Sequence, residues 1–318
     1  MIRNTYYDVI VVGAGIAGMT AAIYAARAGK TVLVLEKNMH GGQIVQTMDV
    51  ANWPGEISVS GADLSQRIYH QMDRLGVQVW YDRVEKIWQS EEYVSVNDAE
   101  EGGRRLWNVK TNEGEFACGA IIIATGTSVR RMEIAREEML TGRGVSYCAT
   151  CDGALYKARK VAVVGGGNTA LYDALYLSEM CEKVYLVHRR EDFRGDKILV
   201  DKVRAHENVE FVTPYVPVEI LGDRRVTGLK VASATEKAER TLEVDGIFVA
   251  VGRIPATEFL SGIVDIDAAG YVVAGEDCKT SAPGIFVAGD VRNKSVRQLV
   301  TAAGDGAVAA TEACRYLD

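Results

Sequence analysis

The chain has 318 residues, 48% apolar and 25% charged, with 32 glycines and only 5 prolines. That length can carry two full cores, and a net charge of −7 argues against nucleic acid or an anionic membrane surface as partner. Its 6 cysteines include one closely spaced pair, which excludes a secreted disulfide framework and a zinc ribbon needing a second pair. The chain runs directly into Tyr7-Asp8-Val9-Ile10-Val11-Val12, with no basic and apolar leader ahead of it. No run approaches the ~18 apolar residues of a membrane helix, so a cytoplasmic protein with no membrane partner is expected.

Asp8–Val12 is a short apolar run of the kind a buried parallel strand shows. The turn Gly13-Ala14-Gly15-Ile16-Ala17-Gly18 follows, then a helix over Met19–Ala28, a stop at Gly29, and a strand over Thr31–Leu35 ending at Glu36. The first glycine permits the turn, the second admits a pyrophosphate, and the third lets helix pack on strand. The helix N-terminus faces the anion, and Glu36 can accept from a ribose hydroxyl. G-x-G-x-x-G alone is a weak signal. Strand, helix, strand and terminal acid around it make a dinucleotide site the preferred reading over a merely tight turn.

Gly41-Gly42-Gln43 and Asn52-Trp53-Pro54-Gly55 suit loops that wrap a ligand, and equally suit ordinary turns. A helix over Leu64–Leu75 precedes strands at Val77–Ile87, Tyr93–Val96 and Leu106–Thr111. These read as an antiparallel meander, punctuated by an acidic, glycine-bearing stretch at Asp98–Gly103. Ala120–Thr125 is another buried strand, ending in Ala124-Thr125-Gly126.

A second unit then repeats the first: strand Lys160–Val164, turn Gly165–Ala170, helix Leu171–Met180, strand Lys183–Val187. Gly165 and His188 are as far apart as Gly13 and Glu36. The copies differ at the strand end, where the first has an acid and the second has His188-Arg189-Arg190 with Arg194 beyond. A carboxylate repels a 2′-phosphate and a guanidinium cluster pairs with it, so NADPH is expected here. The competing reading is a solvated basic start to a helix. Asn168 and Thr169 offer side-chain hydrogen bonds at the helix start.

A helix over Asp196–Ala205 leads to strands at Val209–Val212, Tyr215–Leu221, Val226–Ala232 and Arg240–Val244, a second meander. Ile247–Val251 and Ile285–Ala288 return to the parallel pattern. Gly289-Asp290 ends the last strand, and a small-residue helix follows Arg297-Gln298. The predicted fold class is α/β: two Rossmann-like domains, each a parallel sheet with an antiparallel meander, the second inserted in the first.

Between the two units lies Cys148-Ala149-Thr150-Cys151-Asp152-Gly153. Cys-x-x-Cys spacing commonly lowers a thiol pKa into a reactive range. A structural disulfide or two buried thiols would leave the same spacing. Its position between two nucleotide sites points instead to electrons passing from one nucleotide, through another, to sulfur. Asp152 suits a proton carrier and also a simple turn cap. Cys118, Cys181, Cys278 and Cys314 read as bystanders, and His40 and His206 lack partners at metal spacing, so no metal is expected.

Taken together, Gly13–Gly18 with Glu36, Gly41–Gln43, Asn52–Gly55, Ala124–Gly126, Cys148–Gly153, Gly165–Ala170, His188–Arg194, Gly289-Asp290 and Arg297-Gln298 resemble the low-molecular-weight thioredoxin reductase family. These are FAD- and NADPH-dependent disulfide oxidoreductases. The matches run in the family's order from about Tyr7 to the C-terminus, and the Cys motif ahead of the second glycine turn is the most specific. The glutathione reductase group, with its pair in the first half, does not match. Asp98–Arg105 departs as a small insertion, and Val129–Leu140 carries fewer prolines than the family pattern.

The resemblance implies an FAD-binding domain from residues 1–118 and 246–318, and an inserted NADPH-binding domain, 119–245, that carries the dithiol. It implies that Gly13, Gly15, Ile16, Ala17, Gly18, Glu36 and Lys37 hold the ADP half of FAD. Gly42, Gln43, Asn52, Ala124, Thr125, Gly126, Gly289, Asp290, Arg297, Gln298 and Leu299 would complete that site. Gly165, Gly167, Asn168 and Thr169 would take the NADPH pyrophosphate, with His188, Arg189, Arg190 and Arg194 beside the 2′-phosphate. Cys151 would lie against the flavin, Cys148 would attack the substrate disulfide, and Asp152 would manage thiol protons. The implied activity is NADPH-dependent reduction of thioredoxin or a thioredoxin-like protein disulfide, by a homodimer. Because the dithiol lies on the inserted unit, that unit is expected to rotate between half-reactions, about strands near Cys118–Ala120 and Val244–Ile247. A ferredoxin-linked reductase or a dithiol oxidase on the same scaffold would leave the three arginines without a task. A flavin redox sensor that never turns over would not need a hydride-donor site.

Overall fold

A computed structural model describes residues 5–47, 50–94 and 104–318; the acidic stretch expected at 98–103 lies outside them. The chain divides into two compact units, Met1–Ser128 with Ile254–Asp318, and Val129–Arg253.

Unit 1 begins with β1 (Thr5–Val12), α1 (Ile16–Arg27), β2 (Val32–Leu35), α2 (Gly61–Asp73), β3 (Gln78–Trp80), β4 (Val84–Val94), β5 (Arg104–Thr111) and β6 (Glu115–Ile123). The chain leaves through β7 (Thr127–Val129). In its sheet β3, β2, β1 and β6 run parallel, and β5 and β4 extend β6 as the antiparallel meander. The apolar run of β1 is continuous because both of its faces are covered. Val9 and Val11 pack in the core with α1, while Ile10 and Val12 pack with residues of the meander. The run Val77–Ile87, expected as one strand, is two. It breaks because the Asp82 carboxylate accepts from Arg83 N (2.7 Å), Asn112 Nδ2 (2.8 Å) and Glu113 N (2.8 Å), turning the chain from parallel sheet to meander.

Unit 2 contains β8 (Val145–Ser146), α3 (Ala149–Asp152), β9 (Lys160–Val164), α4 (Asn168–Ser178), β10 (Lys183–Val187) and α5 (Lys197–Arg204). After them come β11 (Val209–Val212), β12 (Tyr215–Leu221), β13 (Gly228–Ser233), β14 (Glu239–Leu242) and β15 (Gly246–Val249). Its parallel sheet has the order β11-β10-β9-β15-β8, and β12-β13-β14 form a separate antiparallel meander. β11, expected in the meander, pairs instead with β10 (Val184 opposite Val209).

The chain returns through β16 (Arg253–Pro255) to unit 1, where β17 (Ile285–Val287) pairs with β6 and α6 (Leu299–Leu317) packs on α1. The two helices approach closely at Gly306, where a Cβ would stand 2.3 Å from Ala17 O.

Both expected domain divisions need moving. Residue 118/119 falls inside β6, where Cys118 and Ala120 are fully buried and paired with β1. Residue 245/246 falls at the start of β15, which pairs with β9 inside unit 2. The chain crosses between units at Ser128/Val129 and Arg253/Ile254, where β7 and β16 make a two-stranded sheet. No helix among the described residues is long and apolar enough to cross a membrane.

Candidate active site

At the first glycine turn each glycine has its own reason. Gly13 has φ +106°, and a Cβ there would lie 2.4 Å from Ala124 O; on Gly18 it would lie 1.8 Å from Gly13 O. A Cβ on Gly15 would meet nothing within 4 Å, so this glycine opens onto free space. Gly15 is also the residue preceding α1, which begins at Ile16 and Ala17 with no side-chain cap, leaving its first N–H groups to an anion. Glu36 is buried, and its carboxylate accepts from Ala14 N (2.7 Å) and Asn38 N (2.9 Å). A cavity of about 440 Å³ is bounded here by Gly13, Glu36, Lys37, Thr125 and Phe259. The open approach at Gly15, the uncapped helix and the fixed acid fit the ADP half of FAD.

The other residues expected at FAD also lie in unit 1. Gly41 and Gly42 take φ +105° and +64°, and Gln43 Nε2 donates to Thr127 O at 2.7 Å. Asn52 Nδ2 donates to Gln298 Oε1 at 3.3 Å, joining two expected flavin contacts. Gln298 forms a capping box with Thr301, and Leu299 opens α6. Ala124 is buried; Thr125 Oγ1 donates to Ala256 O (2.8 Å) and Gly126 turns at φ +64°. Gly289-Asp290 sits on a short 3-10 turn, and Arg297 lies over Tyr271 at 4.2 Å, with Nε donating to Asp290 O at 3.4 Å. Sequence reasoning missed what holds this turn. The half-buried Asp305 carboxylate accepts from Gly289 N (3.0 Å), Arg292 (3.0 Å) and Lys294 (2.8 Å). The only sequence signal for it was an acid in an otherwise small-residue helix.

The second turn repeats the first at Gly165 and Gly167, and has Ala170 where the first has Gly18. Gly165 has φ +155°, and its Cβ would stand 2.4 Å from Ala250 O; Gly167, like Gly15, faces nothing within 4 Å. At Gly166 a Cβ would fall 2.2 Å from His188 Cε1. His188 is buried, its Nε2 has no hydrogen-bond partner among the described residues, and its ring packs on Phe193 at 5.0 Å. Burial, and to a lesser degree the charges of Arg189, Arg194 and Arg190, push its pKa down against a backbone hydrogen bond at Asp192 that raises it. His188, expected among the coenzyme ligands, is thus a support for the turn. Arg189, Arg190 and Arg194 are exposed on the loop that follows, and none forms an ion pair among the described residues. Thr169 is exposed in the first turn of α4. Asn168 turns its side chain to Asp196.

The dithiol lies at the end of β8. Cys148 precedes the four-residue helix α3, and its disulfide to Cys151 spans Cα atoms 5.3 Å apart. Asp152 Oδ2 accepts from Ser146 Oγ at 2.6 Å, and that same Oγ accepts from Cys148 N at 3.1 Å. Burial holds the Asp152 carboxyl above the ordinary carboxylate range, while the Ser146 bond pulls it partway back. Ser146 was not foreseen, because one serine among many carries no pattern. Beside the pair, Tyr147 donates to the buried Glu137 carboxylate at 2.9 Å, and burial followed by that carboxylate pushes its pKa up to about 12. The remaining cysteines, Cys118, Cys181, Cys278 and Cys314, are buried free thiols whose pKa values burial raises, so they are poor nucleophiles.

The model of the pyridine nucleotide-disulphide oxidoreductase family matches residues 7–306. Thioredoxin reductase of Listeria monocytogenes is 42% identical over 313 residues, 98% of this chain and 94% of that protein. A bifunctional thioredoxin reductase/thioredoxin of Mycobacterium leprae is 41% identical over 99% of this chain and 67% of its own length. Among solved structures, thioredoxin reductase of Streptococcus pyogenes superposes with a TM-score of 0.89 at 37% identity, covering 99% of both chains. Enzymes of this kind use FAD and NADPH. On a family match across nearly the whole length and relatives this similar, the chain belongs to the pyridine nucleotide-disulphide oxidoreductases, in their thioredoxin reductase branch.

Proposed function

We propose that the chain is an NADPH-dependent reductase of thioredoxin, or of a thioredoxin-like protein disulfide. The observation that carries the reading is the Cys148–Cys151 disulfide with the Ser146–Asp152 pair beside it, in a chain that also bears two dinucleotide turns. Gly13, Gly15, Gly18 and Glu36 hold the ADP half of FAD, with Gln43, Asn52, Asp290, Arg297 and Gln298 toward the flavin. Gly165 and Gly167 admit the NADPH pyrophosphate, and Arg189, Arg190 and Arg194 meet the 2′-phosphate. Bound FAD supplies two-electron hydride acceptance from NADPH and delivery of the electron pair to sulfur.

The residues of the chain do the rest. Two electrons and two protons open the Cys148–Cys151 bond to a dithiol. Asp152, its proton affinity raised by burial, is suited to take the proton from Cys148 near neutral pH. The Cys148 thiolate attacks one sulfur of the acceptor disulfide, forming a mixed disulfide and releasing the other acceptor sulfur, which is protonated. Cys151 then attacks Cys148 Sγ, re-forming the disulfide and freeing the second acceptor thiol. The dithiol lies in unit 2 and the residues read as the FAD cradle in unit 1; nicotinamide and disulfide would compete for one flavin face, and rotation of unit 2 between half-reactions would serve both. The two chain crossings, at Ser128/Val129 and Arg253/Ile254, are the places for it. Thioredoxin as acceptor is supported by the names of the relatives, one of them fused to thioredoxin. A cytoplasmic homodimer completes the reading, checked for assembly by light scattering.

The test is direct. The purified protein is expected to be yellow, to be bleached faster by NADPH than by NADH, and then to reduce thioredoxin with NADPH. Cys148→Ser still bleaches but no longer reduces thioredoxin. A yellow, NADPH-bleached protein that leaves thioredoxin oxidised has another acceptor.

A further inference from the structure

Asn168 opens α4, immediately after the glycine turn that would take the coenzyme pyrophosphate, yet its side chain points to the residue before α5. Asn168 Nδ2 donates to Asp196 Oδ2 at 3.1 Å, and Asp196 N donates to Asn168 Oδ1 at 2.7 Å. The pair is reciprocal, one bond in each direction. Between its two ends the chain forms β10 and the loop that bears Arg189, Arg190 and Arg194. That loop is also held by Arg194 N donating to Gly166 O at 2.8 Å, and by Phe193, which packs on His188 at 5.0 Å and on Phe211 at 5.4 Å. It lies flat on the start of α4: a Cβ on Gly195 would stand 2.4 Å from Leu171 Cδ1 and 2.8 Å from Asn168 Oδ1.

We propose that the Asn168–Asp196 clasp is a positioning device for coenzyme selectivity, holding the arginine loop against the glycine turn so that the 2′-phosphate meets guanidiniums already in place. The proposal rests on the reading that Arg189, Arg190 and Arg194 take that phosphate. A loop that ordered only on binding would lose affinity to its own immobilisation, and a preformed loop avoids that loss. Helix capping does not account for Asp196, because its carboxylate makes no cap bond to α5. Charge does not account for it either, since a carboxylate beside a phosphate site weakens binding unless its geometry is needed.

The test compares NADPH and NADH kinetics of the holoenzyme. Asp196→Ala is expected to raise KM for NADPH about fivefold to tenfold, the loss of one hydrogen bond and the order it maintains. KM for NADH, which has no 2′-phosphate, stays put. Asp196→Asn keeps an acceptor for Asn168 and removes the charge, so it should hold the wild-type KM for NADPH or lower it. Asn168→Ala, which removes both bonds, should raise KM for NADPH further; if that variant does not fold, the exposed Asp196 position decides alone. Equal changes for both coenzymes, or no change with NADPH, overturn the clasp. A wild-type enzyme that does not distinguish NADPH from NADH overturns the arginine-loop reading instead.

Discussion

The turn after β1 and the turn after β9 solve one problem with two different supports. In both, the first glycine leans on the carbonyl of a residue following a neighbouring strand, Ala124 in one and Ala250 in the other, each 2.4 Å from where a Cβ would be. In both, the third position of the motif, Gly15 or Gly167, looks onto open space. The second position differs. In unit 1 the position is Ala14, whose N–H donates to the Glu36 carboxylate at 2.7 Å. Gly166 is required in unit 2 because the His188 ring occupies the place of a Cβ, 2.2 Å from its Cε1. The extra glycine of Gly165-Gly166-Gly167 is therefore explained by a histidine at the end of the next strand. The lesson is that the residue following the second strand, Glu36 or His188, is the one that lies against the turn.

The comparison predicts its own breakage. The largest effect is expected from Gly13→Ala and Gly165→Ala, which combine positive φ with a clash against backbone, costing about 2–4 kcal/mol each. Gly13→Ala should empty the protein of FAD. Gly165→Ala should keep the yellow colour and lose NADPH binding, so absorbance together with coenzyme titration tells the two apart. If both variants lose only FAD, the two turns are not equivalent.

Next comes Gly166→Ala, with a cost of about 1–3 kcal/mol from overpacking against His188. Adding His188→Ala to it should recover NADPH affinity, and thermal unfolding of both proteins measures the coupling. An uncoupled pair would mean that His188 does not explain the glycine. Glu36→Ala strips the acceptor from the buried Ala14 N, worth about 1–3 kcal/mol, and should lower FAD content while NADP⁺ binding, read by calorimetry, persists.

The smallest effect is at the dithiol. Ser146→Ala removes a bond that favours the charged Asp152 carboxylate, so the proton affinity of Asp152 rises further. The acid limb of the pH–rate profile for thioredoxin reduction should move to higher pH, and Ser146→Thr should restore it. The sign for stability is the opposite of the usual salt-bridged carboxylate. Because burial raises the folded-state value, the contribution of Asp152 is full below the unfolded carboxylate pKa and is lost as pH rises through the folded one. An unmoved acid limb in Ser146→Ala would remove Asp152 from that step.

Much of the site was legible because its chemistry is local in sequence. Gly13 and Gly165 announce themselves by spacing after an apolar run, and Cys148 and Cys151 by their separation. Ser146, Thr127 and Asp305 were not legible. Each acts through a contact to a residue distant in sequence or through a common residue type with no period, as when Asp305 in α6 holds Gly289. The roles expected for His188 and Asn168 changed for a related reason. Both lie at the second glycine turn, His188 against Gly166 and Asn168 in hydrogen bonds with Asp196.

The amino-acid sequence by itself determined two glycine turns, each set between a strand and a helix, the dithiol with the acid that follows it, and the contrast between an acid and an arginine cluster at the two strand ends. All of these follow from short runs in which period, glycine placement and charge act over a few residues. Only the tertiary structure decided where one unit ends. Buried strands of both units have the same apolar composition, so nothing local says that β6 belongs with β1 or that β15 belongs with β9; strand pairing alone assigns them. It also decided which polar groups face a ligand and which face each other. A hydrogen-bonding side chain takes whichever partner packing brings within reach, and that choice is made only in three dimensions.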